Sequence, residues 1–151
     1  MTDNPDTLPQ LKLTNQICHA LYSATNALVR AYRPLLEPLD LTYPQYLVML
    51  ALWEEDSVPI RHLVHHTRLD SGTLTPILKR LEQKGLLIRG RADTDERRKT
   101  ITLTEEGHSL REQAISVPAA LVSQTDMTAE QALELKALAE TLYQQLQKSA
   151  K

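Results

Sequence analysis

The stretch LDSGTLTPILKRLEQKGLLIRGRADTDERRKTITLTEEG, residues 69–107, decides the fold. Asp70 is a good helix N-cap and Gly85 a good helix stop, so a helix is expected over 70–84. Leu86 to Arg89 and Thr100 to Leu103 are short apolar or Thr-containing runs that predict two strands. Between them Gly90 to Lys99 is polar and charged, which predicts a β-hairpin with a long tip. A short helix over Pro59 to His66 and a turn near Arg68 to Asp70 precede the longer helix, so residues 60–84 have the layout of a helix-turn-helix.

The chemistry of that helix suits a nucleic-acid surface. Asp70, Ser71, Gly72, Thr73 and Thr75 open it with short side chains, and the hydroxyls can reach base edges or phosphates. Lys79, Arg80 and Lys84 lie further along and suit backbone phosphates. Pro76 removes a hydrogen bond to the Gly72 carbonyl, so either the first turns are strained or the helix starts later than Asp70. The hairpin has Asp93, Asp95, Arg97, Arg98 and Lys99 at its tip and Arg91 beside it as a further DNA-binding candidate; a tip Arg could probe a minor groove, and Asp95 could hold Arg97 extended.

Charge is distributed to match. The 151-residue chain has net charge −2, yet residues 61–99 carry ten Lys/Arg against five acids, so this segment is +5 and the remainder −7. A basic middle between acidic ends favours a local anion-binding surface over nonspecific attraction by the whole molecule.

Working outward, Leu13, Ile17, Leu21, Ala24, Leu28 and Ala31 predict one long helix from Leu11 to Arg33, broken by Pro34 and Pro38. Residues 1–10 are expected to be flexible. Thr42 and Gln45 have capping-box spacing and open a helix to about Trp53. Thr104 can cap a further helix with a bend at Pro118, and Thr128 with Gln131 opens a final amphipathic helix through Leu133, Leu135, Leu138, Leu142 and Leu146. The terminal helices are too long to bury their apolar faces on one small core, so a homodimer is expected.

Composition narrows the class. Phe is absent and Trp53 is the single Trp, leaving a Leu-, Ile-, Val- and Ala-built, mainly helical core. The polar, acidic start and the lack of a long apolar run predict a cytoplasmic protein without membrane association or secretory signal. One cysteine excludes an internal disulfide and a cysteine-built zinc site. His62, His65 and His66 cluster, but no carboxylate stands beside them at ligand spacing, so no metal or cofactor is expected.

Cys18 has informative company. Tyr22 follows one helical turn later, Tyr32 ends the same helix and Tyr43 opens the next. Phenol hydroxyls can hydrogen-bond a thiolate, and the early turns of a helix favour negative charge. A peroxide-sensing thiol and a small buried hydrophobe are both open on these residues alone.

The run from Leu69 to Gly107 resembles the winged helix of the MarR family in Gly85 followed by two leucines, in Asp95-x-Arg97, and in the closing Leu103-Thr104-Glu-Glu-Gly107. The resemblance implies a single MarR-like domain over 11–151. Within it, dimerisation helices cover 11–40 and 105–149, and a winged helix-turn-helix lobe covers 42–104. It further implies that the helix from Asp70 enters the major groove and Arg97 the minor groove of double-stranded operator DNA. The segment CHALYSATNALVRAYRPLLEPLDLTYPQYLVMLALWE, residues 18–54, is similar to the organic hydroperoxide resistance regulator (OhrR) subgroup. That likeness implies that Cys18 is redox-sensing and bonded by Tyr32 and Tyr43 across the dimer interface, with Tyr22 nearby. With no second cysteine, it implies release from DNA through oxidation by an organic hydroperoxide, then capture by a low-molecular-weight thiol. Leu21, Leu47 and Trp53 are candidate apolar walls. The alternative is a MarR-type repressor released by an aromatic or phenolic ligand, with Cys18 structural. No peroxidase loop or catalytic His/Asp set is visible, so an enzyme is not expected.

Overall fold

A computed structural model describes residues 8–92 and 95–149, with the side chains of residues 91–99 and 149 outside the description. The chain forms two compact units, residues up to Val117 and residues from Pro118 onward.

In the first unit, two short 3₁₀ turns, Pro9–Leu11 and Leu13–Asn15, precede α1, Ile17–Leu36. The helix therefore begins later than the periodicity predicts. Asn15 Nδ2 donates to the Pro9 carbonyl, and Gln16 Nε2 donates to the carbonyls of Gln10 and Lys12. Those side-chain amides take backbone acceptors that a helix would use. At the other end α1 runs through Pro34 to Leu36, because a proline in the last turn removes only one hydrogen bond.

Asp40 reverses the chain in the left-handed region (φ 54°), and the Thr42–Gln45 capping box opens α2, Tyr43–Glu54. Buried residues lie all round α2, among them Tyr46, Val48, Met49, Ala51 and Leu52, which makes it the central helix. A two-residue strand that the sequence did not reveal, β1 (Val58–Pro59), leads into α3, Ile60–Thr67, and then α4, Ser71–Gln83. Leu63, Leu74, Leu78 and Leu81 point into the core. At about 1.5–3 kcal/mol for each fully buried side chain of this size, Leu63 fixes α3 to the core, and the other three fix α4 by its apolar stripe.

The sheet order is β1-β3-β2, with β2 Leu87–Ala92 antiparallel to β3 Asp95–Leu103 and Val58 of β1 opposite Ile101. The hairpin thus has longer strands than expected: pairing continues to Arg91↔Lys99 and, past a bulge, to Ala92↔Asp95. Residues assigned from sequence to a long tip belong largely to the strands.

Helix α5, Glu105–Ala114, is capped by Thr104, whose Oγ1 accepts from the Gly107 N–H at 3.1 Å. Gly107 lies so close to the wing that an added Cβ would overlap the Leu86 carbonyl oxygen. Trp53 Nε1 donates to the Gly107 carbonyl at 2.8 Å. Residues 105–117, grouped by sequence with the terminal helices, accordingly pack into the first unit.

The break after α5 falls at Ile115–Ser116, just before Pro118, which sits in the first turn of α6, Val117–Val122. In the second unit a Thr128–Gln131 capping box, with bonds of 3.0 and 3.1 Å, starts α7, Ala129–Ser149. Leu133, Leu135, Leu138 and Leu146 of α7 are exposed in the single chain. Among the described residues no helix is long and apolar enough to cross a membrane.

Candidate DNA-reading helix and thiol site

Helix α4 presents a polar face over its leucine stripe: Ser71, Gly72, Thr73, Thr75, Pro76, Lys79 and Arg80 are all exposed. Asp70 caps it by accepting from the Thr73 N–H at 2.7 Å, and that backbone bond holds the carboxyl below its usual range. The Asp70 carboxylate is thereby committed to the helix end. Thr75 Oγ1 donates to the Ser71 carbonyl at 2.8 Å, leaving its lone pairs as outward acceptors. The helix starts at Ser71 and contains Pro76, so the reading with a later start is set aside.

The C-terminal end of α4 is closed by a Schellman arrangement. Leu86 N–H bonds the Leu81 carbonyl at 3.0 Å, Gly85 N–H bonds the Glu82 carbonyl at 2.9 Å, and Gly85 sits at φ 77°. Glu82 then clasps β2: its carboxylate accepts from Arg89 Nε, Nη2 and N–H at 3.1, 3.0 and 2.9 Å. The hydrogen bonds from Arg89 lower the Glu82 carboxyl pKa. The wing is therefore oriented directly by α4. Asp95, Arg97, Arg98 and Lys99 lie on β3 and Arg91 on β2, and the expected Asp95–Arg97 bond falls outside the described side chains.

Lys84, placed by sequence among phosphate contacts, is engaged by groups of its own chain at the surface. Its side chain is 26% exposed, and its ammonium donates to the Asp40 carbonyl and to Gln45 Oε1 at 3.0 Å.

Cys18 is the second residue of α1 and is exposed, and Tyr22 one turn on is 69% exposed. Cys18 is thus not a core residue of the single chain. Tyr32 lies fourteen residues further along α1, about 21 Å at 1.5 Å per residue. There it meets Tyr43 and Tyr46, with ring centroids 4.9 and 5.7 Å from its own. Tyr46 was not anticipated as part of this group, although its position one helical turn after Tyr43 could have suggested it.

Burial, then the neighbouring phenols Tyr43 and Tyr46, push the Tyr32 pKa up to about 12. Burial likewise raises Tyr43 and, with Tyr43 adding to it, Tyr46. All three remain O–H donors through the physiological range. Trp53 stands ten residues beyond Tyr43, roughly 15 Å along α2, where it holds α5. This does not place it as a wall beside the phenols.

The histidines do have carboxylates beside them, brought by the fold. His66 Nε2 lies 2.7 Å from Glu54 and His62 Nε2 lies 3.3 Å from Glu55. Among the described residues no group of three or more side chains could hold a metal ion.

An exposed polar helix backed by leucines, reached from a short helix through a tight turn and clasped to a β-wing, defines a winged helix-turn-helix transcriptional regulator. A family model described as transcriptional regulator SarA/Rot matches residues 30–114. The organic hydroperoxide resistance transcriptional regulator of Bacillus subtilis (strain 168) is 43% identical over 138 residues, covering 89% of this chain and 94% of that protein. Reduced AbfR bound to DNA, from a protein also solved from Staphylococcus epidermidis, is 37% identical with TM-score 0.80, covering 94% of this chain and 97% of that one. Disulfide-formed AbfR is 39% identical with TM-score 0.62, covering 92% of each chain. The chain belongs to the MarR family of transcriptional regulators, in the group of the organic hydroperoxide resistance regulators.

Proposed function

We propose that Cys18 is the switch of a redox-sensing transcriptional repressor, which binds operator DNA as a reduced homodimer and leaves it when Cys18 is oxidised by an organic hydroperoxide. The observation that carries this reading is the split site: the only cysteine is exposed at one end of α1, and the half- or fully buried phenols gather at the other. One chain cannot bring them together, whereas a second copy antiparallel along α1 can. The exposed apolar residues Ile17 and Leu28 of α1, and those of α7, supply surface for such a dimer.

In that arrangement the Tyr32 and Tyr43 hydroxyls donate to the thiolate of Cys18 from a second copy, and Tyr22 borders it. The thiolate attacks one peroxide oxygen, the O–O bond breaks, and the departing alkoxide takes a proton to become an alcohol. Cys18 is left as a sulfenic acid. A low-molecular-weight thiol then displaces water to form a mixed disulfide, and a second thiol molecule resets Cys18. The adduct cannot accept the phenol hydrogen bonds as a thiolate does, so the interface shifts and the two recognition helices leave their spacing of about 34–36 Å.

On the DNA side, Ser71, Thr73 and Thr75 read base edges or phosphates. Lys79, Arg80, Arg91, Arg98 and Lys99 contact phosphates, and Arg97 enters the minor groove. Asp70 contributes by holding the helix end, and Asp95 by orienting Arg97. The chain turns over no substrate and works in the cytoplasm. Release by an aromatic ligand with Cys18 structural is disfavoured, because Cys18 is not packed in the core.

The test is operator binding by wild type and Cys18→Ser before and after an organic hydroperoxide. Both should bind when reduced, and only wild type should be released. A Cys18→Ser protein released equally well rules out Cys18 as sensor.

A further inference from the structure

We propose that Lys84 is a positioning residue that couples the phenol end of the thiol site to the recognition helix. It rests on the reading of Cys18 given above.

Lys84 is the C-cap residue of α4, and Gly85 at φ 77° fixes the chain immediately after it. Its ammonium reaches across forty residues of sequence to the segment that joins α1 to α2. There it donates to the Asp40 carbonyl and to Gln45 Oε1 at 3.0 Å, with the Asp40 carboxylate at 3.6 Å. Gln45 is the one buried polar residue among the described residues, and its Oε1 also accepts from the Thr42 N–H at 3.1 Å. One amide oxygen therefore serves both the capping box that starts α2 and the cation that ends α4.

Tyr43 is the first residue of α2 and Tyr46 is the next residue after Gln45, so the phenols sit on the turn that Lys84 grips. Any displacement of Tyr43 moves the capping box. Charge-assisted bonds that meet at the buried Gln45 pass that movement to α4. From α4 it reaches the wing through the Glu82–Arg89 clasp. Lys84 thus serves a tether within one chain, where a phosphate-contacting lysine would point outward beside Lys79 and Arg80.

The coupling to measure is the ratio of DNA dissociation constants, oxidised over reduced, in the full-length protein. Lys84→Met and Lys84→Gln are compared with wild type and with Lys84→Arg, which keeps a cationic donor. In the Met and Gln variants, reduced DNA affinity should stay within about threefold of wild type with an unchanged salt slope. Cys18 should react with hydroperoxide at the wild-type rate. The oxidised-to-reduced ratio should fall about tenfold or more, and Lys84→Arg should recover most of it.

An unchanged ratio in a folded Met or Gln variant overturns the proposal. So does equal loss of affinity in both states with the salt slope lowered by about one, which marks a phosphate contact. If neither variant folds by circular dichroism, Lys84 is a determinant of the fold and the coupling role is likewise rejected. A wild-type ratio near one would instead defeat the Cys18 reading itself, whatever Lys84 does.

Discussion

The DNA-reading lobe and the thiol site differ in what one chain can complete. The lobe is finished within a single copy: α4 is capped at both ends, backed by Leu74, Leu78 and Leu81, and clasped to the wing by Glu82 and Arg89. The thiol site is left open, with Cys18 and Tyr22 exposed at one end of α1 and Tyr32, Tyr43 and Tyr46 half or fully buried at the other. A regulator gains from this division. The reading surface has to be rigid, because major-groove contacts tolerate little displacement, whereas the proposed sensing surface would be an interface that chemistry can shift.

The largest expected effect comes from preventing the second copy from docking. Leu135→Glu with Leu138→Glu places charge on the exposed apolar face of α7. It should give a monomer by sedimentation and weaken operator binding ~100-fold or more, since linkage of two heads supplies gains of that order. A folded, tightly binding monomer would remove the dimer from the reading.

Breaking the self-contained lobe should cost less in binding but show directly in stability. Gly107→Ala forces a methyl group against the Leu86 carbonyl and within 3.1 Å of Leu103 Cδ2. Overpacking of this kind destabilises by about 1–3 kcal/mol. Denaturant unfolding of Gly107→Ala should show that loss, and an unaltered midpoint would mean the α5–wing contact gives freely.

The thiol site offers a sharper comparison. A hydrogen bond to a charged group contributes roughly 1.5–3 kcal/mol, so Tyr32→Phe or Tyr43→Phe should slow Cys18 oxidation about tenfold or more with reduced DNA binding intact. Mixing Cys18→Ser chains with Tyr32→Phe/Tyr43→Phe chains tests where the site is built. If it spans two copies, each mixed dimer holds one whole site and fast oxidation returns in stopped-flow traces. If oxidation stays slow, the phenols act within their own chain.

The smallest effect is on alkaline stability. The folded protein holds the Tyr32 proton up to about 12, against an ordinary value of 10.0. Folding therefore binds that proton more tightly. The associated stability is complete below pH 10 and drains as pH rises from 10 toward 12. Tyr32→Phe should flatten the decline in this window when unfolding midpoints at pH 9 and 11 are compared. An identical slope in both proteins would mean that Tyr32 does not stay buried and protonated.

Local chemistry made much of this legible. The capping boxes at Thr42–Gln45 and Thr128–Gln131, the Asp70 cap and the Gly85 stop all stand where the residues indicated, because their hydrogen bonds span three or four positions. Errors arose where distant atoms decide. Strand β1 exists because Val58 finds Ile101, and α1 begins late because Asn15 and Gln16 reach back to earlier carbonyls.

By itself the sequence determined the order of the main helices and the hairpin, the basic reading helix with its wing, and a lone thiol among tyrosines, since residue type and short spacing control those features. Tertiary structure alone decided which groups face one another. It joined Lys84 to Gln45 and Asp40, set Glu54 and Glu55 beside His66 and His62, and brought Tyr46 to Tyr32 and Tyr43. It also held Tyr32 a helix-length from the Cys18 of its own chain. The physical reason is that burial and hydrogen-bond partnership are properties of neighbours in space, which spacing along the chain does not encode beyond a turn or two of helix.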